Sequence, residues 1–313
     1  MIYKNHNLDD VEASQEKFAM LAVYWALSTV LILIVIKGIA YYYSGSAALL
    51  GSLTDTLGDG LISLMTFFSI RLSLAPADED HRFGHGKIEG FSAMIQASFL
   101  CGAAVFLTFE SAQRFMRPVE IDHHALGISV SLVAVILTLI LVRVQSYALK
   151  RAPSLAIEAD QRHYMNDVLI NGAVIAGFAA HYMIGWIWLD AALGLVIAVY
   201  IGWTGIEVGR KAADMLMDRE IGEAERTQIE AIVTANPQVH GMHDLRTRRT
   251  GMTIMISFDV ELEPELTLRD AHAITRELEF ALLEAFPHAE IIIHKDPKGD
   301  TYDARHKVQG IHH

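Results

Sequence analysis

The sequence predicts an all-α membrane domain of six spanning helices followed by a small α+β domain. Three observations carry this prediction. First, six apolar stretches, each near the roughly 20 residues that cross a hydrocarbon core, occupy the chain up to residue 217 of 313. Second, 52% of residues are hydrophobic and the mean hydropathy is +0.30, high for a soluble chain and low for a wholly embedded one. Third, the pattern changes after Met217, where amphipathic helices and alternating strands replace the apolar runs.

The membrane domain is expected over residues 1–217, with helices at about 18–43, 46–74, 91–115, 122–148, 156–184 and 186–215. The stretch "FAMLAVYWALSTVLILIVI" is free of charge up to Lys37 and follows a polar, charged leader, which argues against a cleaved signal peptide. The second stretch contains two aspartates, and the fifth starts polar and turns apolar. The sixth, "WIWLDAALGLVIAVYIGWTGI", has tryptophans at both ends, where they anchor at membrane interfaces. Glu110 and Asp190 are lone acids near expected helix ends, where the interface solvates them.

Lysine and arginine concentrate in alternate connections. Arg71, Arg82 and Lys87 lie between helices two and three, and Arg143, Lys150, Arg151 and Arg162 lie around the link from four to five. The connections "YYYSGS" and "GW" have none, and Arg114 with Arg117 is a minor exception. The positive-inside rule then places both termini in the cytoplasm.

The second domain is expected over 218–297, in the order αββαβ. "DREIGEAERTQIEAIVTANPQV" is a helix closed by Asn-Pro. "GMHDLRTRRTGMTIMISFDVELE" is a strand pair around a Thr-Gly turn, "TLRDAHAITRELEFALLEAFP" is a second helix and "AEIIIHKD" a last strand. Helices on one face of a sheet make a two-layer unit. Residues 298–313 are a polar tail, expected to be disordered.

Composition also excludes. A net charge of −12 argues against a nucleic-acid partner. The single cysteine, Cys101, excludes an internal disulfide and any thiolate cluster. The fifteen histidines are the unusual count.

The chemistry starts from "SLTDTLGDGLISLM". A carboxylate within the bilayer costs about 2.5–3.5 kcal/mol on insertion scales. Asp55 and Asp59 are one helical turn apart and share a face. "HYMND" likewise puts His163 and Asp167 on one face of the fifth helix. Buried polar pairs can glue helices together, yet serine, threonine or asparagine would do so at lower cost. Two helices that each offer two ligands can surround one ion. Three carboxylates and an imidazole suit a divalent cation such as Zn2+ in tetrahedral geometry.

Several motifs in order, "YSGSAALLGSLTDTLGD", "PADEDHRFGHGKIEG", "EADQRHYMNDVLING", "GMHDLRTR" and "IIIHKDP", resemble the cation diffusion facilitator family, most closely its bacterial zinc-transporting branch. The resemblance spans nearly the whole chain. It implies six transmembrane helices, a cytoplasmic ferredoxin-like domain, a homodimer in the bacterial inner membrane, and zinc efflux by proton antiport. By position, Asp55, Asp59, His163 and Asp167 match the transport site. Four protein ligands leave no open position for an attacking water, unlike catalytic zinc sites. Metal must displace the histidine proton, which supplies coupling, and alternating access would expose the site to each side in turn.

The resemblance also implies a second site at Asp78, His81 and His85, a set that residue spacing alone leaves open between a cation loop and a solvated charged loop. It implies a two-metal site bridging the dimer at His243, His272, His294 and Asp296, against the alternative of scattered surface histidines. Lys87 and Asp218 match the family's charge interlock between the two domains. The chain departs from the pattern twice. Asp259 stands where a strand histidine is expected, and aspartate can also ligate zinc. Arg162 stands where an apolar gating residue is expected, and a cation there would repel metal unless it snorkels or pairs with a carboxylate.

The same donors tolerate Fe2+, Cd2+, Co2+ or Mn2+, so the metal is not fixed. A different class remains open, a membrane metal sensor without transport. An enzyme is not expected: the chain has neither H-E-x-x-H nor a Gly-x-Ser-x-Gly turn.

Overall fold

In the computed structural model, the described residues are 6–45, 47–116, 125–184 and 189–299. The elements run α1 (His6–Ser44), α2 (Ala47–Ser73), α3 (Ile88–Met116), α4 (Ala125–Leu149), α5 (Leu155–Ile184), α6 (Leu189–Leu216), α7 (Glu223–Thr234), β1 (Gly241–Thr250), β2 (Thr253–Leu262), α8 (Leu268–Ala285) and β3 (Ala289–Pro297). They form two compact units, one of Ala13–Leu216 and one that takes in the chain from Met217 onward.

The first unit is a helical bundle. Among the described residues, Ala13–Ser44, Ile88–Met116, Ser129–Leu149 and Ala191–Leu216 are long and apolar enough to span. The helices α2 and α5 match them in length, at 27 and 30 residues. Their hydropathy is lowered by the polar residues that make up the candidate site. The first helix begins at His6, well before the expected residue 18. Its polar leader contains neither proline nor glycine, so nothing in the backbone stops the helix from extending. It also continues past Lys37 to Ser44, which puts that lysine inside the helix.

Small residues bring α3 and α6 close together. A Cβ on Gly205 would lie 2.9 Å from Cys101 Sγ, and one on Gly209 would lie 3.5 Å from the Ala97 methyl. Close backbone approach of this kind substitutes for the missing hydrophobic drive between helices in lipid. Ala26 and Val30 of α1 pack with Leu141 and Val142 of α4 and Tyr164 of α5. Ser154 caps α5, its hydroxyl accepting from the Ile157 N–H at 3.3 Å.

The second unit is the expected αββαβ domain. Its sheet has the order β1-β2-β3, with β1 antiparallel and β3 parallel to β2. Ile254, Ile256, Phe258, Val260 and Leu262 of β2 alternate onto one face and pack against Ile229 and Val233 of α7 and Ile274, Leu278 and Leu282 of α8. Gly251 supplies the positive φ of 60° that the β1–β2 turn uses. The odd-numbered residues of β2 face away from the helices. A polar cluster forms on that open face.

Candidate metal centres

Three clusters of His and Asp have ligand atoms within 4.8 Å of one another among the described residues. The first lies between α2 and α5. His163 Nε2 is 2.9 Å from Asp59 Oδ1 and 4.0 Å from Asp167 Oδ2. These side chains are largely buried: His163 is 17% exposed and Asp59 14%. Asp55, one turn along α2, is exposed and lies outside the group. Two carboxylates and an imidazole therefore converge inside the bundle, while Asp55, expected as the fourth ligand, is not brought to them. A buried negative pair with few partners is costly, and a divalent cation offsets that cost directly.

Asp160 on α5 anchors the helices around this cluster. It accepts hydrogen bonds from Gln145 of α4 at 2.7 Å and from Ser63 of α2 at 3.3 Å, and the Ser63 hydroxyl pairs with Tyr164 at 2.6 Å. Lys37 of α1 does similar work nearer the start of α2, donating to Thr56 Oγ1 at 2.5 Å and the Ser52 carbonyl at 3.2 Å. The sequence reading missed both. The signals were present: Asp160 sits three residues before His163, and Lys37 stands among apolar residues that continue to be helical. Glu89, also missed, is fully buried at the start of α3 and accepts from Ser73 at 2.8 Å and Ser154 at 2.5 Å. Glu110 pairs with Arg114 at 3.1 Å near the end of α3. The side chain of Asp190 lies outside the described residues.

Arg162 resolves as a paired cation. Its guanidinium is 3.8 Å from Glu158 and 3.7 Å from Glu207 of α6, and Lys211 binds the same two carboxylates at 2.6 Å and 3.2 Å. Two cations and two anions thus join α5 to α6. The charge that would repel a metal is balanced locally, by carboxylates that are not in the His163 cluster.

The second cluster is the link between α2 and α3. Asp78 Oδ1 accepts from the backbone N–H of His81 at 2.6 Å and of Asp80 at 3.0 Å. His81 Nδ1 is 3.2 Å from Asp78 Oδ1, and His85 Nε2 is 3.2 Å from Asp78 Oδ2. The His81 N–H, first among several hydrogen bonds, holds the Asp78 carboxyl below the usual carboxylate range. Gly84, at φ 74°, turns the chain so that the two imidazoles face one carboxylate. Lys87 belongs to the helical unit, where it donates to the Leu216 carbonyl at 3.5 Å. Asp218 belongs to the other unit, 3.2 Å from Arg248.

The third cluster occupies the open face of the sheet. His243 pairs in register with Asp259, and Asp259 with His294. His243 Nδ1 is 3.7 Å from Asp259 Oδ2, and His243 Nε2 is 3.4 Å from Asp296 Oδ2. His294 Nε2 is 3.1 Å from Asp296 Oδ1 and its side chain is 68% exposed. His272 is exposed on α8, in the helix layer, and the sheet separates it from this cluster within one chain. Burial pushes the Asp259 carboxyl up from its ordinary value, and the neighbouring histidines oppose this without cancelling it. Glu261, which the sequence reading passed over, also reaches this face, 4.0 Å from His243 Nε2.

Comparison with known proteins places these features. The family described as the cation efflux transmembrane domain matches residues 23–217, and the cation efflux protein cytoplasmic domain matches residues 221–298. The chain is 42% identical to a cation-efflux pump FieF of Shewanella oneidensis over 91% of its own length and 97% of that protein. It is 40% identical to the FieF pump of Salmonella arizonae, over 87% of this chain and 90% of that one. A solved metal-bound C-terminal domain of the CzcD transporter from Thermotoga maritima is 27% identical, with coverage of 26% of this chain and all of that chain, and a TM-score of 0.25. This chain is thus a multi-pass membrane protein of the cation efflux, or cation diffusion facilitator, family, which consists of transporters and not enzymes.

Proposed function

We propose that this protein exports Zn2+ from the cytoplasm across the bacterial inner membrane in exchange for protons, as a homodimer with both termini in the cytoplasm. The observation that carries the reading is the convergence of Asp59, His163 and Asp167 inside the helical bundle, with Asp55 one turn away on α2. Donors held about 2.0–2.2 Å from a tetrahedral ion stand roughly 3.4 Å apart. The observed separations of 2.9 and 4.0 Å from His163 Nε2 bracket that value. Cargo binds the neutral imidazole and the ionised carboxylates, so loading expels protons and unloading takes them up.

Alternating access carries the loaded site from one side to the other, with α5 held to α6 by the Arg162–Glu158–Glu207–Lys211 lattice. The domain of residues 218–297 binds the same class of ion on its open sheet face and holds the dimer. Its ligands are His243, Asp259 and Asp296, with His272 and His294 engaging ion across the dimer. The loop of Asp78, His81 and His85 is a further, more exposed cation site.

The test is zinc flux into proteoliposomes, with Fe2+, Cd2+ and Mn2+ as competitors. Alanine at Asp59, His163 or Asp167 should lower flux at least a hundredfold while leaving a folded protein, and alanine at Asp55 should lower it strongly. Normal flux in any two of these variants overturns the assignment. Metal binding without flux by the parent chain would make it a sensor.

A further inference from the structure

Lys37 is a buried cation in a helix long and apolar enough to span a membrane. A lysine at that depth is expensive, and such residues face the bundle interior and mark ion paths. Its ammonium donates to the Ser52 carbonyl at 3.2 Å and to the Thr56 hydroxyl at 2.5 Å. The Thr56 hydroxyl gives its own proton to the same carbonyl, at 3.1 Å, so toward Lys37 it is an acceptor. Both acceptors are uncharged, and among the described residues no carboxylate touches the ammonium. Hydrogen bonds of this kind need no charge, and serine, asparagine or glutamine would make them at lower cost. The positive charge therefore calls for a reason of its own.

The ionised groups that act on Lys37 are Asp59, Asp55 and Asp167. Ser52, Thr56 and Asp59 follow the i, i+4, i+7 spacing of one face of α2. The ammonium thus stands on the face of α2 that carries Asp59, one turn nearer the start of that helix. With Lys37 charged, Asp55, Asp59 and Asp167 leave two negative charges, which one divalent cation balances while His163 stays neutral. A balanced site is what a low-dielectric interior favours. We propose that Lys37 is a specificity-determining residue of the transport site. Its fixed charge matches the site to a divalent ion and keeps the grip on that ion weak enough for release. It is not a ligand: held by Ser52 and Thr56, it acts on the ion by repulsion from beyond the carboxylates. An ion that is moved must be bound firmly enough to enter and loosely enough to leave. The assignment rests on the transport reading above, which supplies the ion.

Equilibrium dialysis of Zn2+ on the full-length chain in lipid nanodiscs tests this, with Asp78→Ala and His243→Ala in every protein to silence the other clusters. Mildly alkaline buffer keeps competition from protons low. Lys37→Gln and Lys37→Met should each bind Zn2+ roughly tenfold more tightly, because a like charge is gone from beside the ion. Lys37→Arg, which keeps the charge, should bind as the parent does. In proteoliposomes the two neutral variants should show a lower KM together with a lower maximal rate, the mark of an ion held too well. A residue that merely held α2 in place would give the opposite sign, weaker binding on its removal. Unchanged or weaker binding in the neutral variants overturns the assignment, and having two of them keeps the test decisive should one fold poorly. Tighter binding shared by Lys37→Arg overturns it as well. If the neutral variants bind more tightly while the parent moves no Zn2+, the charge assignment stands and the transport reading fails. If the background protein holds no ion that Asp59→Ala removes, both fail.

Discussion

His163 and Asp259 show how one residue type in one place sets what a site can do. His163 has its Nε2 2.9 Å from Asp59 Oδ1, and on the proposed transport reading a proton and the cargo ion compete for that nitrogen. Asp259 sits partly buried on the sheet with Asp296 nearby, and burial raises its carboxyl pKa. Its folded value thus lies above its unfolded one. The ionised group destabilises the metal-free fold above the folded pKa, and the effect fades as pH falls through the carboxylate range. Without metal at pH 7, Asp259→Asn should therefore melt at a higher temperature than the parent. The gap should close on acidification, and saturating Zn2+ should reverse it, because the parent gains more from its ligand. Thermal unfolding in detergent with a chelator reads this, and a lower melting temperature for metal-free Asp259→Asn at pH 7 would contradict it.

At the scale of elements, helix packing and the site are one problem. Asp59 and His163 meet only if α2 and α5 are held in register, and the Asp160, Ser63, Tyr164 and Gln145 network ties α2, α4 and α5 together. The α3–α6 seam is closed by small residues. Gly205→Leu would drive a side chain into Cys101, already 2.9 Å from the position of a Cβ. Overpacking of this kind costs about 1–3 kcal/mol. The expected result is a lower unfolding temperature in detergent, and an unchanged one would show that α3 and α6 can separate freely.

Much of this level was legible in the sequence, because period and spacing act locally. The pairs Asp55/Asp59 and His163/Asp167 announced a shared face, and the strand alternation of "TIMISFDVEL" announced the core of the small domain. What could not be read depends on contacts between elements. Lys37 was only the charge that closes an apolar run until Ser52 and Thr56 were seen to receive it. Arg162 looked like a barrier until Glu207 of α6 was seen to pair with it. The extra residue between His243 and Arg246 has no proline or glycine to mark it.

For the whole molecule, the proposed metal path and proton path are one set of atoms. On the proposed transport reading, Asp59, His163 and Asp167 would hold the cation when ionised or neutral and release it when protonated, so that a proton gradient alone would drive the metal. The soluble domain, with its own ligand cluster, need not take part in that step. Arg162 with Lys211 leaves the helical unit locally neutral beside α5, so cargo meets no net positive charge from that pair. The most direct measurement uses proteoliposomes with equal Zn2+ on both sides and an imposed pH difference. With proton antiport, Zn2+ should move away from the alkaline side and accumulate on the acidic side, the movement should stop when the pH difference is collapsed, and His163→Ala should abolish it. Zinc that stays evenly distributed under the pH difference, while parent protein still equilibrates a zinc gradient, would contradict it.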